Sequence, residues 1–597
     1  METKRKFWGV LLTVCMVFCM APATVFAAGN VPDTAWTDYA AADFTGGTGT
    51  EADPYQIATA EQLAKLSKDV SEGNNYQGTF FELTENIDLS SHRWIPIGIN
   101  KWESSGATTS NWFEGFIDGS NKTISGLIVD ERTDKNAAGF FGDIRNVSGG
   151  TVGAKNLIIS DASIYADEEG LMELRTGIFA GYVSANPGQQ IVFENITISG
   201  DIEIESTDGY NSVGGMIGYG DGVKATNCKA ENISISGASN SGGFIGNSSD
   251  SAFENCEASG TVSGLWALGG FVGYTTAADS SDSDATQSVY KHCAADVEIT
   301  GSDWRLGGFA GYAEYGKFDN CVAFGDITST VDGWEPNVGG FIGQSDNAEV
   351  SSSHAAGDVV SASSDYKAGG FVGNYVGGTF AGCSFDSEKN SGLTAAGTGT
   401  ISSGVEGGST NEVLANICED YYGGHKYSSD WTIDTAATCT TDGSKYQHCE
   451  RCDAKGNITA VPATGHKAGA EWKSDGTGHW NECVYCGDKM NESAHTYKWV
   501  TDKEATADET GSKHEECTVC GYEKAAVEIP ATGTPSDTDT PTDSDQTGDK
   551  DNPNTGTTDS PRTGDDSNIA LWIAIMLAAG IALTGTVLYR RKQTNHR

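Results

Sequence analysis

Three Cys-any-any-Cys pairs stand late in the chain, Cys449/Cys452, Cys483/Cys486 and Cys517/Cys520, their first cysteines recurring every 34 residues (449, 483, 517). Two thiolates on one tight turn can reach a single metal ion, and nearby Cys or His completes a tetrahedral set. Spacing assigns Cys439 and His466 to the first pair, and His479 and His495 to the second. The third pair has His514 alone, because Ala507 and Thr534 occupy the places of Cys439 and His466. The expected chemistry is structural zinc, with four ligands in each of the first two modules and three in the last. Disulfides within the pairs are the alternative for a chain outside the cell. Haem attachment would need His directly after the second Cys, where Asp453, Gly487 and Gly521 stand. The pairs lie among Thr, Gly and Asp rather than at the strand-to-helix junction of thioredoxin-like redox sites. Residues 430–530 hold few large apolar side chains, among them Trp472, Trp480, Tyr485 and Trp499, so a metal there supplies fold stability rather than catalysis.

A second set of residues could bind rather than ligate. Tyr210, Trp266, Trp304, Trp334 and Tyr366 precede Gly-Gly motifs, and all but Trp266 have an Asp shortly ahead (Asp208, Asp303, Asp332, Asp365). Stacked by a repeat, they would form a stripe of rings and carboxylates suited to sugars. The alternative is that each ring caps the core at a corner, with Asp as a turn residue. No catalytic residue is identified: His-Glu-any-any-His is absent, and no cluster of carboxylates or bases departs from the repeat.

The element that must carry such a stripe is a long repeat. Gly-Gly-apolar-aliphatic-Gly recurs with its second glycine at 215, 243, 270, 308, 340 and 370, usually followed by Asn-Cys-any-Ala. Short alternating runs such as Asp296-Val297-Glu298-Ile299 have the period of strands. Strands separated by Gly/Asn/Asp turns predict a mainly β protein, a parallel (right-handed) β-helix or solenoid, with Phe and Ile filling its interior. The glycines suit corners that need positive φ or close approach of neighbouring coils. Cys228, Cys256, Cys293, Cys321 and Cys383 share one place in the unit, with Ser353 standing there in another copy. They are expected to stack as a ladder of reduced thiols, the alternative being a disulfide array. Thr59-Ala60-Glu61-Gln62 has capping-box spacing and predicts a helix over 59–69, covering the N-terminal end of the solenoid.

These motifs resemble the GLUG repeat of bacterial surface proteins, over roughly residues 45–390. Gly47-Thr48-Gly49-Thr50, Asp53-Pro54-Tyr55-Gln56-Ile57 and Phe113-Glu114-Gly115-Phe116-Ile117-Asp118-Gly119 resemble the upstream part of the same proteins. GLUG repeats occur in adhesins and beside catalytic domains, including some immunoglobulin-cleaving metallopeptidases, whose zinc signature this chain lacks. The later segment is similar to Cys/His-rich repeats of clostridial surface proteins, on Ala437-Thr438-Cys439-Thr440 and Pro462-Ala463-Thr464-Gly465-His466.

Both ends of the chain read as export signals. Lys4, Arg5 and Lys6 precede an apolar run, and Val25-Phe26-Ala27 offers a signal-peptidase site, with cleavage expected after Ala27. Near the other end, Ser560-Pro561-Arg562-Thr563-Gly564 precedes the apolar span 569–588 and Arg590, Arg591 and Lys592. This order resembles a sortase sorting signal, with Ser560 where Leu is usual. The resemblance implies cleavage between Thr563 and Gly564 and joining of Thr563 to peptidoglycan.

The domain reading is a signal peptide at 1–27, an N-terminal cap and first strands at 28–110, and solenoid repeats at 111–415. Three Cys/His-rich modules, expected to hold zinc, follow at 430–530, then a spacer at 531–559, the sorting motif at 560–564, the transmembrane helix at 569–588 and a basic cytoplasmic tail at 589–597. The segment Ala531–Asn568, rich in Thr, Asp, Ser and Pro, cannot form a core. Fully stretched it reaches roughly 130 Å at about 3.4 Å per residue. With 82 Asp+Glu against 37 Lys+Arg, a net charge of −45 excludes nucleic acid as a natural partner. The expected partners are sortase, peptidoglycan and a glycan or host protein. The expected role is a wall-anchored adhesin on a Gram-positive-type bacterium, the alternatives being a polysaccharide-active β-helix enzyme or a purely structural stalk.

Overall fold

The computed structural model describes residues 31–102, 108–133, 137–167, 173–205, 210–277, 286–302, 304–330, 336–362 and 368–533. The signal peptide, sorting motif, apolar span and nearly all of the spacer lie outside these residues, as do Trp334 and Tyr366. Among the described residues no helix is long and apolar enough to cross a membrane. The chain divides into two compact units. The first holds everything described up to Gly469 together with Cys483–Asp488, and the second holds the remainder.

Alternation builds the first unit. In Ala294–Gly301 buried and exposed residues alternate from Ala295 onward, the mark of a strand with one face on a core. From Tyr55 to Gly408 such strands join one hydrogen-bonded system of 35 strands, each pairing parallel with its counterpart one coil away. This is a parallel β-solenoid. Register superposes like on like: Val262, Ile299 and Ile327 form one inward column, and Phe253, Tyr290 and Phe318 another. The rings of Phe244, Phe271, Phe309, Phe341 and Phe371 stack at 4.6–5.0 Å with interplanar angles of 3–12°. The Phe253–Tyr290–Phe318 stack meets them nearly edge-on. Each buried ring contributes about 1.5–3 kcal/mol from lost apolar exposure, with about 0.5–1.5 kcal/mol more per well-placed aromatic pair.

The Gly-Gly motif answers to close approach rather than to positive φ. A Cβ on Gly215, Gly243, Gly270, Gly308 or Gly340 would lie 2.1–2.2 Å from the carbonyl oxygen of the corresponding glycine one coil on. None of these five has a left-handed backbone. That conformation falls instead to the residue before each inward Cys: Asn227, Asn255, His292 and Asn320 at φ 54–55°, and Gly382 at 64°. Asn tolerates this region better than other non-glycine residues. Its amide also continues the stack, Asn227 donating to Asn195 (3.2 Å) and Asn195 to Asn156 (3.1 Å).

Just past that corner the thiols turn inward. Cys228, Cys256, Cys293, Cys321 and Cys383 are free and buried. The Sγ atoms of Cys256, Cys293 and Cys321 each lie 3.4–3.6 Å from a carbonyl oxygen one coil away. Ser353 keeps the column, its Oγ accepting from the Cys321 N–H at 3.1 Å. The ladder is therefore reduced, and burial pushes the Cys228, Cys256 and Cys293 thiols well up.

Two helices frame the stack. Helix α1 (Ala60–Ser71) buries Leu63, Leu66 and Val70 in the solenoid core. Thr59 Oγ1 accepts from the Gln62 N–H as its spacing predicts, while the Gln62 side chain accepts from the Ala58 N–H rather than closing the box on Thr59. Helix α2 (Thr410–Asp420) starts at a complete capping box, Ser409 and Glu412 each accepting from the other's N–H. It lays Val413 and Ile417, with Tyr421 just beyond its end, on the outer wall at Ala294, Val322 and Ala356.

The left-handed corner and the glycine contact predict opposite substitution rules. Asn255→Gly should leave stability near wild type, whereas Asn255→Ala should cost about 1–2 kcal/mol. Gly270→Ala should cost at least about 1–3 kcal/mol by forcing coils apart. Denaturant titration of the three variants checks this, and equal loss for both Asn255 variants would contradict the corner assignment.

Candidate metal centres

Beyond α2 come three antiparallel sheets of three strands each. They are β1 (Tyr427–Thr435), β2 (Gly443–Cys449) and β3 (Lys455–Val461); β4 (Ala468–Ser474), β5 (Gly478–Cys483) and β6 (Lys489–Ala494); and β7 (Tyr497–Lys503), β8 (Gly511–Cys517) and β9 (Val527–Ile529). In every sheet the middle strand ends on the first cysteine of a pair, so the Cys-any-any-Cys turn links the second and third strands. A backbone bond closes each turn: the Cys449 N–H donates to Ala454 O (3.0 Å), Cys483 to Asp488 O (2.8 Å) and Cys517 to Tyr522 O (2.8 Å). Gly487 and Gly521 take left-handed φ of 79° and 75° just after the second cysteine.

Around the turns the structure assembles three four-residue sets: Cys418/His425/Cys449/Cys452, Cys439/His466/Cys483/Cys486 and His479/His495/Cys517/Cys520. Within each set the ligand atoms lie within 4.8 Å of one another. Each set lies wholly inside one compact unit. Sulfur–sulfur distances are 3.6–3.8 Å, and His Nδ1 to Sγ distances are 3.3–3.6 Å. A tetrahedral ion with bonds of about 2.3 Å to sulfur and about 2.05 Å to nitrogen requires roughly 3.8 and 3.6 Å. All thirteen described cysteines are free. The donors thus fit a small, thiophilic tetrahedral cation.

The grouping corrects the expected one. Cys439 and His466 serve the second pair rather than the first, and His479 and His495 serve the third rather than the second. Every pair takes its other ligands from chain that precedes it, so spacing counted from a pair to the next His assigns that His one module too early. The first pair is completed by Cys418 on α2 and by His425, neither expected from the sequence. The third pair has four ligands, not three. His514 joins no set: it lies largely covered on β8, its Nδ1 2.5 Å from Asp502 and its Nε2 3.8 Å from Glu523. A signal was present, since a single His stands just ahead of β1, β4 and β7 (His425, His466, His495).

Local electrostatics prepare one thiolate per site. Burial works to raise Cys483, but the N–H groups of Tyr485 and Cys486 outweigh it and bring the thiol down to about 5. The same contest lowers Cys517 to about 5 and Cys449 to about 6. Two partners go the other way: burial raises Cys452, and Cys486, held by the Asp488 N–H but opposed by burial and the neighbouring thiols, ends near 12. In the third set the His495 Nε2–H donates to Asp475 O at 2.7 Å, which leaves the Nδ1 lone pair facing Cys520.

On the solenoid, the expected aromatic stripe is realised in part. Trp266 and Trp304 come together in adjacent coils with ring centroids 5.9 Å apart, and Trp304 is exposed. Tyr210 opens a strand, and Trp334 and Tyr366 lie outside the described residues. A second aromatic column was missed, although its residues directly follow a Gly-any-any-any-Gly motif: Tyr182, Tyr219, Tyr274 and Tyr312. Tyr182 stacks on Tyr219 (5.3 Å) and Tyr274 on Tyr312 (5.0 Å), with Arg175 and Arg305 guanidinium groups against them. Their faces are spent on one another, which is a structural use. A groove of about 740 Å³ opens elsewhere on the wall, lined among others by Ile128, Asp161, Tyr165, Asp201 and Asn232. Gly200, also in the lining, lets two coils approach closely there, since a Cβ on it would lie 2.3 Å from Ala162 O.

Comparison with known proteins gives partial matches. Residues 302–328 match the GLUG motif. Over 107 residues, 17% of this chain, it is 36% identical to a "Gly-rich membrane protein" of Evansella cellulosilytica, covering 11% of that protein. Over 181 residues it is 31% identical to halomucin of Haloquadratum walsbyi, covering 2% of that protein. The chain therefore spans only a small part of these relatives' lengths. A solved structure described as an immunoglobulin A1 protease of Bacteroides ovatus aligns with 65% of this chain and 93% of its own at 15% identity, with a TM-score of 0.30.

The regrouped ligands predict which variants lose metal. Cys486→Ser should lower bound metal from three ions per chain to two, and His514→Ala should leave three. Because binding must displace protons from thiols such as Cys486, affinity should rise with pH and fall steeply as pH drops toward 5, where the Cys483 and Cys517 thiolates protonate. Metal analysis of the purified chain across pH checks both; loss of an ion in His514→Ala would restore the spacing-based assignment.

Proposed function

We propose that this chain is a non-enzymatic binding protein displayed on a bacterial surface, its solenoid presenting a glycan- or protein-binding wall and its Cys/His modules holding structural zinc. The observation that carries the binding reading is the groove. Its volume falls within the roughly 300–1,000 Å³ of small-ligand sites. Its lining mixes Asp161, Asp201, Asn232 and serine hydroxyls with Tyr165 and Ile128, donors and acceptors beside apolar surface, as a saccharide's hydroxyls and C–H faces require. The zinc reading is supported by Cys/His donor sets at tetrahedral separations. Display rests on the sequence alone: the export signal, and the sorting motif with Thr563 and Gly564 ahead of an apolar span.

A glycan and matrix-protein array probed with the mature chain tests the binding role. Asp161→Gly combined with Asn232→Gly, which keeps the left-handed backbone of both positions, should weaken the bound ligand by at least about tenfold, equivalent to about 1.4 kcal/mol. Depolymerisation of any arrayed polysaccharide would replace the non-enzymatic reading with a catalytic one. Binding that ignores both substitutions would move the site off the groove. For anchoring, Thr563→Ala should shift the protein out of the wall fraction; wall retention of that variant would refute sortase attachment.

A further inference from the structure

Helix α2 meets two neighbours by different physics. Toward the solenoid it is held by peptide contacts. One outward column of the wall runs Lys229, Glu257, Ala294, Val322, His354, Ser384, and it leaves behind the Lys–Glu pair for buried residues where α2 lies on it. Tyr421 stacks on His292 at 4.5 Å, and Thr410 Oγ1 donates to Asp386 at 2.7 Å. The buried His354 ring bridges Ser384 (2.8 Å) and Asp420 (3.0 Å). Toward the first sheet, by contrast, α2 offers Cys418. The apolar cluster there consists of Cys418, Cys449 and Cys452, fringed by Leu414, Ala415, Tyr427 and Ala454. The large side chains of that sheet do not help, since Trp431, Ile433 and Ile458 are 43%, 55% and 67% exposed.

We propose that the Cys418/His425/Cys449/Cys452 centre is a metal clamp that joins the first Cys/His sheet to the solenoid through α2. This rests on the zinc reading above. The helix is seated without metal, because its wall-facing side is complete. The sheet is seated chiefly by metal, because three of the four ligands sit in one small cluster, and the other contacts are a few partly buried side chains, an exposed Asn411–Asp453 hydrogen bond at 3.3 Å and the Arg451 guanidinium over the Tyr422 ring. Without the ion, Cys418 and the Cys449/Cys452 turn have thiols facing one another with no bond between them. The solenoid then ends in a firmly docked helix followed by an untethered sheet. Metal supply sets whether the junction is rigid.

Amide hydrogen exchange on the full mature chain tests this, comparing the zinc-loaded protein, the chelator-treated protein and Cys418→Ser, with zinc counted in each. His425→Ala provides a second lesion that leaves α2 unaltered. With zinc removed or either ligand replaced, amides of 421–427 and 443–455 should exchange at least about tenfold faster. Those of 413–418 and of the solenoid core should not change, and each variant should retain two of three ions. Three bound ions with the same exchange at 443–455 before and after chelation would overturn the clamp alone. No bound zinc at all would overturn the zinc reading and the clamp together. Faster exchange in α2 itself, equal to that of the sheet, would show that the helix too depends on metal and would refute the division of labour.

Discussion

Parallel strands in neighbouring coils lie about 4.7–4.9 Å apart, and the whole solenoid answers to that spacing. A residue type that fills one coil must tolerate a copy of itself directly above. Phe does so by stacking its ring, Asn by bonding amide to amide, Cys by resting its thiol near the carbonyl of the adjoining coil. Gly does so by having no side chain where two backbones nearly touch. The repeat is thus a list of side chains that can be their own neighbours.

The same constraint separates two populations of cysteine. Ladder thiols are sealed in apolar surroundings, where burial disfavours the thiolate and leaves them inert. Thiols at the ends of β2, β5 and β8 sit on turns whose N–H groups converge on sulfur, and there the thiolate is favoured despite partial burial. One residue type serves as filler in the first setting and as a candidate ligand in the second.

The modules lack what the solenoid has in excess. Their sheets leave Trp431, Trp472 and Trp499 substantially exposed and bury little besides the ligands themselves. Small domains of this kind need a covalent or metal link to offset chain entropy. Taking ligands from the preceding segment has a further consequence: each centre closes a longer loop than a self-contained knuckle would.

What the sequence determined by itself was whatever repeats or is local. Period-two alternation, the Gly-Gly spacing and the Cys place in the unit led to a parallel stack with a reduced thiol ladder, because stacking copies a local rule from coil to coil. Thr59 fixed the start of α1 for the same reason, a cap being a contact within four residues. Only the tertiary structure decided whether the glycines were needed for conformation or for proximity, since both uses leave the same letter. It also decided which His and Cys meet at each metal centre. Cys418 lies 31 residues before Cys449, and His466 lies closer in sequence to Cys452 than His425 does to Cys449, yet the fold pairs them otherwise. Ligation depends on where a helix seated on the solenoid wall and the turns of antiparallel sheets bring atoms within a few ångströms, and that distance is not written in the intervals along the chain.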